Sequence, residues 1–500
     1  MLKMYLLISV PFLFLLSACN TGPEVKTDHV YNVMDFGAKG DGVNLDTESI
    51  NLAIDSCSMS GGGIVLFPEG TYLTGSIHLA DNITLEISKD AILLGAANDI
   101  EAYDFPKENP WSAYQDFGHS HFRNALIWGE ELNHITITGG GIIDGGGITR
   151  SNDVPEGGGD KAISLKLCKN ITIKNLRILQ GGHFAILANG CDSLWIDSLY
   201  VETPRDGIDL MSCNDVSIRR SEIISIRYDE NGHMAGGDDA IGIKSDYALG
   251  FVRHCENIHI SDCFLSSGTN AIQFGSETVG NMKNVVVENC SIVHSDKAGL
   301  GITCNDGSII ENVVFRNITM SEVANPFYMV ITDRGRSPEN RPVGQIKNIR
   351  FEKITCTDAY GYIKQRKFTS TISGLPGHPI EDVSFRNIKI TYKGGGTRKQ
   401  SMIEPPYTKE YAPRVLGIRP ASGFYCRHAS NLVFANTEIK YEEKEERPAF
   451  VMKDISSLQF DNVQAENSMH TQADIILDAV TGIEILNSES LKVIHRSLPE

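Results

Sequence analysis

The chain is short of positive charge: 45 Lys and Arg stand against 63 Asp and Glu, a formal net charge of −18. That balance excludes the basic footprint of a nucleic-acid binder. It also disfavours a polyanionic substrate at long range, unless a local basic cleft built from Arg205, Arg227, Lys244, Arg334 and Arg336 reverses the sign. Proline is sparse, at 18 in 500 residues, and no low-complexity linker or composition break divides the chain. Runs such as Gly157-Gly158-Gly159 and Gly394-Gly395-Gly396 read as loops within one body. No Cys-x-x-Cys pair suggests zinc, so no metal and no cofactor is expected. Beyond the N-terminus no apolar run is long enough to span a bilayer.

The N-terminal stretch reads as a targeting segment. Lys3 precedes an apolar run from Tyr5 to Leu16 that is too short to cross a membrane. Leu16-Ser17-Ala18-Cys19 then resembles a bacterial lipobox, which implies cleavage after residue 18 and lipidation of Cys19. Residues 19–29 would be a tether, and residues 30–490 a single catalytic domain. The protein is then expected to be exported and held to the cell envelope only through its lipid. Ten other cysteines remain of the 11. Cys168, Cys191, Cys213 and Cys255 each sit just before an apolar segment, a placement that favours free, buried thiols over disulfides.

What the chain has in abundance is a repeat. A polar residue, often Asn, is followed by alternating apolar residues, as in Asn82-Ile83-Thr84-Leu85, Asn170-Ile171-Thr172-Ile173, Ser193-Leu194-Trp195-Ile196 and Asp215-Val216-Ser217-Ile218. The series runs on through Asn257, Asn284, Asn312, Asn348, Asp382 and Asn431 to Ser457. Where spacing is tight the units recur every 22 to 28 residues, as from Ile171 to Leu194 to Val216. Alternation buries one face of each strand, and a short strand buries its face only by stacking on a neighbour. The expected fold is all-β, a right-handed parallel β-helix. Three longer gaps hold polar insertions, around residues 99–122, 228–237 and 393–423. Insertions in a solenoid gather on one face and build its binding cleft.

Two rungs of this ladder carry an unusual acidic pattern. Arg205-Asp206-Gly207-Ile208-Asp209 is followed one rung on by Gly237-Asp238-Asp239-Ala240-Ile241-Gly242-Ile243-Lys244-Ser245. Adjacent carboxylates repel, so folding alone does not favour them there. One of two close carboxylates keeps its proton to higher pH, which gives an acid and a base in one site. Glycoside hydrolysis needs such a pair, with carboxyl groups about 6.5–9.5 Å apart in an inverting enzyme.

These motifs resemble glycoside hydrolase family 28, the polygalacturonase family. The entry segment Val33-Met34-Asp35-Phe36-Gly37-Ala38, together with Pro68-Glu69-Gly70-Thr71-Tyr72 and Gly139-Gly140-Gly141-Ile142-Ile143-Asp144-Gly145, is similar to other pectin-degrading β-helices. Residues 205–209 and 237–245 resemble the family's two Asp motifs. The resemblance implies that Asp238 is the general acid, that Asp206 and Asp239 activate a water, and that Asp209 supports them. The chain departs from the family in the next two rungs. Thr269, in Ser267-Gly268-Thr269-Asn270, stands where a His is usual, and Gly301-Ile302-Thr303 replaces Arg-Ile-Lys. The cations that would hold a galacturonate carboxylate are absent from those positions.

Other residues are expected to contact the sugar: Arg205, Asp209, Lys244, Thr269, Asn270, and His183 or Arg334 as a replacement grip. The resulting expectation is an exported glycosidase acting on a pectin-type or related polysaccharide. It should be inverting and exo-acting, and weak on plain polygalacturonan. A lyase on the same scaffold and a non-catalytic carbohydrate-binding β-helix are the alternatives.

Overall fold

The computed structural model describes residues 29–466, 471–488 and 490–496. The expected leader, Cys19 and most of the tether lie outside the described residues. One helix, Thr47–Met59, precedes the ladder and turns Ile50, Ala53, Ile54 and Cys57 inward against the first strands. Their i, i+3, i+4, i+7 spacing is that of an amphipathic face, and the helix closes the open end of the core. Asp46, just before it, is buried and accepts from the backbone N–H groups of Lys39 and Gly40 at 2.7 and 3.0 Å.

The rest is a parallel β-helix, consistent with the repeat. Ile83 pairs with Ile135, Ile135 with Ile171, Ile171 with Leu194, and Leu194 with Val216. The same column continues through Ile258, Val285, Val313, Ile349, Val383, Leu432 and Leu458 to Ile483. Consecutive repeat units pair directly even across the long gaps. No coil is hidden there, and the insertions are loops.

The residue opening each unit explains its identity. Asn82, Asn170, Asp215, Asn257, Asn284, Asn312, Asn348, Asp382 and Asn431 all have φ between +52° and +59°. Asn and Asp tolerate this left-handed region best among non-glycine residues. The amides then bond coil to coil: Asn284 donates to Asn257 and Asn312 to Asn284, each at 3.1 Å, and Asn348 to Asn312 at 2.6 Å. Inside, Phe351, Phe385 and Phe434 stack with ring centroids 4.8 and 5.0 Å apart. The ten cysteines from Cys57 to Cys426 are free and buried.

Candidate functional site

Register alone brings the expected residues together. Phe184 pairs with Asp206, Ile208 with Ile241, Ile241 with Ile272, and Asn270 with Ala298. Asp206, Asp239 and Asn270 therefore form one column across successive coils. One residue earlier, His183, Arg205, Asp238, Thr269 and Lys297 form the next. A carboxylate oxygen from each of Asp206, Asp238 and Asp239 lies within 4.8 Å of the other two. This is tighter than the 6.5–9.5 Å window expected of an inverting pair. The cause is local: Asp206 and Asp239 sit opposite each other on successive coils, about 4.8 Å apart along the ladder, and Asp238 directly precedes Asp239 in sequence.

The turns carrying the acids are held from behind by a column of buried serines. Ser225 pairs with Ser267, and Ser267 with Ser295. The Ser225 hydroxyl lies 2.9 Å from the Asp238 carbonyl and also bonds the Arg205 carbonyl. Ser267 Oγ donates to the Asp238 carbonyl at 2.6 Å, and Ser295 Oγ to the Thr269 carbonyl at 2.8 Å. Gly237, at φ +141°, is obligatory beside them, because a Cβ there would lie 2.0 Å from the Ser225 carbonyl oxygen.

Each acid has its own environment. Asp239 Oδ1 accepts from Thr269 Oγ1 at 2.6 Å, Asn270 Nδ2 at 2.7 Å and Asn270 N at 3.2 Å. Burial and then the Asp238 charge raise its pKa, opposed by Lys244, Lys297 and the Thr269 hydroxyl. Asp206 is raised well above the usual carboxylate range, first by burial and then by Asp238 and Asp209, against the pull of Lys244. Asp238 is the acid that reaches the cleft, with 27% of its side chain exposed against 6% for Asp206. It accepts from Thr269 Oγ1 at 3.1 Å. Arg205 Nε lies 3.4 Å from Asp238 Oδ2 and 3.6 Å from Asp206 Oδ2.

The residues expected to touch sugar divide into two groups. Arg205, Thr269 and Asn270 are at the acids. Asp209 and Lys244 lie behind them, 0% and 6% exposed, joined by a 2.5 Å bond from Lys244 Nζ to Asp209 Oδ2. The structure places this pair as a charged support, with Lys244 Nζ also 3.8 Å from Asp206 Oδ1. A Cβ at Gly242 would fall 2.4 Å from Asp209 Oδ1, so glycine makes room for the pair. His183 is buried among Phe117 and Phe184, with its pKa pushed down to about 2 by burial and by Arg205. It is a neutral wall and not a cationic grip. Arg334 is committed to Asp306, at 2.9 and 2.6 Å, and to the Ser276 carbonyl at 2.7 Å. Its donors are spent on the protein, which removes it as a free clamp.

Sequence reasoning missed three residues. Lys297 follows Thr269 in register, donating its backbone N–H to the Thr269 carbonyl at 2.8 Å. Burial opposes its charge, but Tyr411, Asp238, Asp239 and Asp206 together hold its pKa above the ordinary lysine value. Extending the Asp238–Thr269 column by one coil would have found it. Tyr411 comes from the 393–423 insertion, which docks when Tyr328 Oη donates to the Tyr411 carbonyl at 2.6 Å. His119 comes from the first insertion. Its Nδ1 lies 2.7 Å from Asp246 and its Nε2 4.0 Å from Asp209. No local signal marks either, because both arrive from distant loops. Gly301, where an Arg was expected, leaves room instead for the Gln273 amide, whose Oε1 would lie 2.4 Å from an added Cβ.

Comparison with known proteins gives the family and the fold. The chain is 26% identical over 392 residues to a probable polygalacturonase of Vitis vinifera, covering 72% of this chain and 74% of that one. It is 28% identical over 274 residues to an exo-poly-alpha-D-galacturonosidase of Dickeya chrysanthemi, covering 52% of this chain and 40% of that one. The fold is shared with an exopolygalacturonase from Thermotoga maritima, at TM-score 0.59 and 20% identity over 73% of this chain and 88% of that chain. A family 28 exopolygalacturonase of Yersinia enterocolitica also has TM-score 0.59, at 18% identity, covering 91% of this chain and 78% of that one. The sequence model for glycosyl hydrolases family 28 matches residues 104–409. With the Asp motifs in register on successive coils of a parallel β-helix, the chain belongs to glycosyl hydrolases family 28 and is a polygalacturonase-like glycosidase acting on O-glycosyl bonds.

Proposed function

We propose that the protein removes sugars from the ends of pectin-type oligosaccharides by an inverting hydrolysis. The observation that carries this reading is the convergence of Asp206, Asp238 and Asp239 in one partly buried site. Asp238 is the acid a leaving oxygen can reach, and it donates the proton. Asp206 and Asp239 hold a water, and whichever of the two is ionised deprotonates it, with Thr269 and Asn270 fixing the Asp239 carboxylate. The proton ends on the leaving sugar's hydroxyl, and the water's oxygen on the anomeric carbon. Three acids, and not two, support inversion despite their close spacing, since two stay free to position water after one has acted. A lyase would need a neutral basic side chain, whereas the site's lysines, Lys244 and Lys297, are both held protonated by surrounding carboxylates.

Loop placement supports exo action. The first insertion seats Phe117 against His183, one coil before Asp206, and runs on along the flank with His119 on Asp246 and Asp116 on Arg336. The 393–423 insertion covers the same face on the C-terminal side. There Leu416 packs with Ala298, Tyr328 and Val330, and Arg427 donates to the carbonyls of Pro405 and Pro406 at 2.7 and 2.9 Å. A cleft closed at both ends accepts chain termini. With Gly301 and Thr303 in place of cations, and Arg205 and Lys297 already drawn to the acids, long unmodified polygalacturonan is a weak substrate. A chromatographic time course on a defined oligogalacturonate tests this. Release of single terminal units from the start is expected, and an initial spread of mid-length fragments would refute exo action.

The Leu16–Cys19 motif supports export with a lipid anchor. Cys19→Ala should move the protein from the membrane fraction to the soluble one, and unchanged fractionation would reject the anchor.

A further inference from the structure

We propose that a cavity on the flank of the catalytic cleft is a second saccharide-binding site, selective for a carboxylate-bearing sugar. The cavity, of about 490 Å³, is lined by Arg150, Gln180, Glu202, Pro204, Arg227 and Tyr228 among others. That volume is within the range of small-ligand sites. Two guanidiniums face one carboxylate here, so the cavity is locally positive in a chain whose net charge is −18. Neither Arg150 nor Arg227 forms an ion pair among the described residues. A guanidinium has five N–H donors, and Arg227 gives one to the Ala235 carbonyl at 2.8 Å. A planar fork of donors suits a sugar carboxylate.

The remaining lining suits the rest of a pyranose. Tyr228 is 43% exposed, which offers an aromatic face to the C–H side of a sugar ring. Glu202 accepts from Tyr200 Oη at 2.7 Å, and its second oxygen can accept sugar hydroxyls. The Glu202 charge also acts on Tyr228, which places those two groups near each other.

The site is tied to the cleft by chain continuity. Pro204 lines the cavity and Arg205 follows it, Nε 3.4 Å from Asp238. Arg205 also donates to Asn152 Oδ1 at 3.1 Å, two residues from Arg150. On the other side, Arg227 and Tyr228 open the hairpin whose returning strand, Met234–Gly237, leads straight into Asp238. A second saccharide molecule would thus be held on the flank of the cleft that carries the catalytic acid. The inference relies on the proposed function only for the sugar's identity.

The test compares Asp238→Asn with a triple variant that adds Arg150→Gln and Tyr228→Ala, by titration calorimetry with a long oligogalacturonate. Arg150 and Tyr228 are both exposed, so melting temperature is expected to stay unchanged. Asp238→Asn should bind with two classes of site, and the triple variant should lose one or weaken it about tenfold. Arg227→Gln in place of the two added changes should weaken the same class. Superimposable isotherms, or no binding of the oligogalacturonate by Asp238→Asn, would overturn the proposal. Loss of the second class together with no wild-type turnover of any uronate substrate would leave this site standing and remove the proposed function. Normal turnover with superimposable isotherms would do the reverse.

Discussion

Arg205, Asp238, Thr269 and Lys297 sit one below another, and their different chemistry predicts different kinetic signatures. In the proposed mechanism Asp238 supplies a proton in the transition state, so Asp238→Asn should lower kcat by roughly a hundred- to ten-thousand-fold with the fold intact. Lys297 is a fixed cation beside the acids and acts through ground-state attraction. Lys297→Met should raise KM for an acidic oligosaccharide about tenfold and change kcat only slightly. Steady-state kinetics of the two variants check the split. A collapse of kcat in Lys297→Met, or full activity in Asp238→Asn, would reverse these assignments. The acids were legible in the sequence because Asp-Asp flanked by Gly and apolar residues on a β-ladder has no folding rationale. Lys297 was not, because Lys before an apolar strand is unremarkable until register sets it under Thr269. His183 illustrates the opposite error. Its position was read correctly, but burial between Phe117 and Phe184 leaves it neutral, which no local pattern reveals.

Among the elements, the strands are set by local rules and the loops by distant partners. The left-handed opening residue explains every Asn and Asp that starts a repeat unit, so the strand ladder could be read directly. A second amide ladder escaped notice, as with Asn317, inside the long strand Ile309–Val323, donating to Asn289 at 2.7 Å. The insertions were located, but not what docks them.

His119 shows how docking depends on pH. Burial opposes its charge, and the Asp246 hydrogen bond and charge, with help from Glu277, overcome both burial and Lys244. Its pKa is therefore raised above 6.5 in the folded protein. The extra stability is fully present below about 6.5 and is lost as pH rises through the folded value. Protease cutting within residues 95–124 should accelerate above neutral pH in the wild type. His119→Asn should show fast cutting with no such pH step. A variant that keeps the step would assign it elsewhere.

For the whole molecule, the repeat period determined the architecture and the insertions determined its use. Stacked coils give an extended face that could bind a long chain along its length. Here loops from both directions close over that face, seating His119 and Phe117 on one side and Tyr411 and Leu416 on the other. That loop placement is what supports the proposed exo action. Fold and catalytic motif were legible because both are periodic, and specificity was not, because it resides in long-range loop contacts.

The central claim is that three register-aligned carboxylates hydrolyse a glycosidic bond with inversion. Real-time proton NMR of an oligogalacturonate digest tests it most directly. The account predicts that the first reducing-end signal to grow is the anomer opposite to that of the cleaved bond, with no olefinic proton. Initial appearance of the same anomer, as the close spacing of Asp206, Asp238 and Asp239 would allow in a retaining enzyme, would contradict it, and so would an unsaturated product.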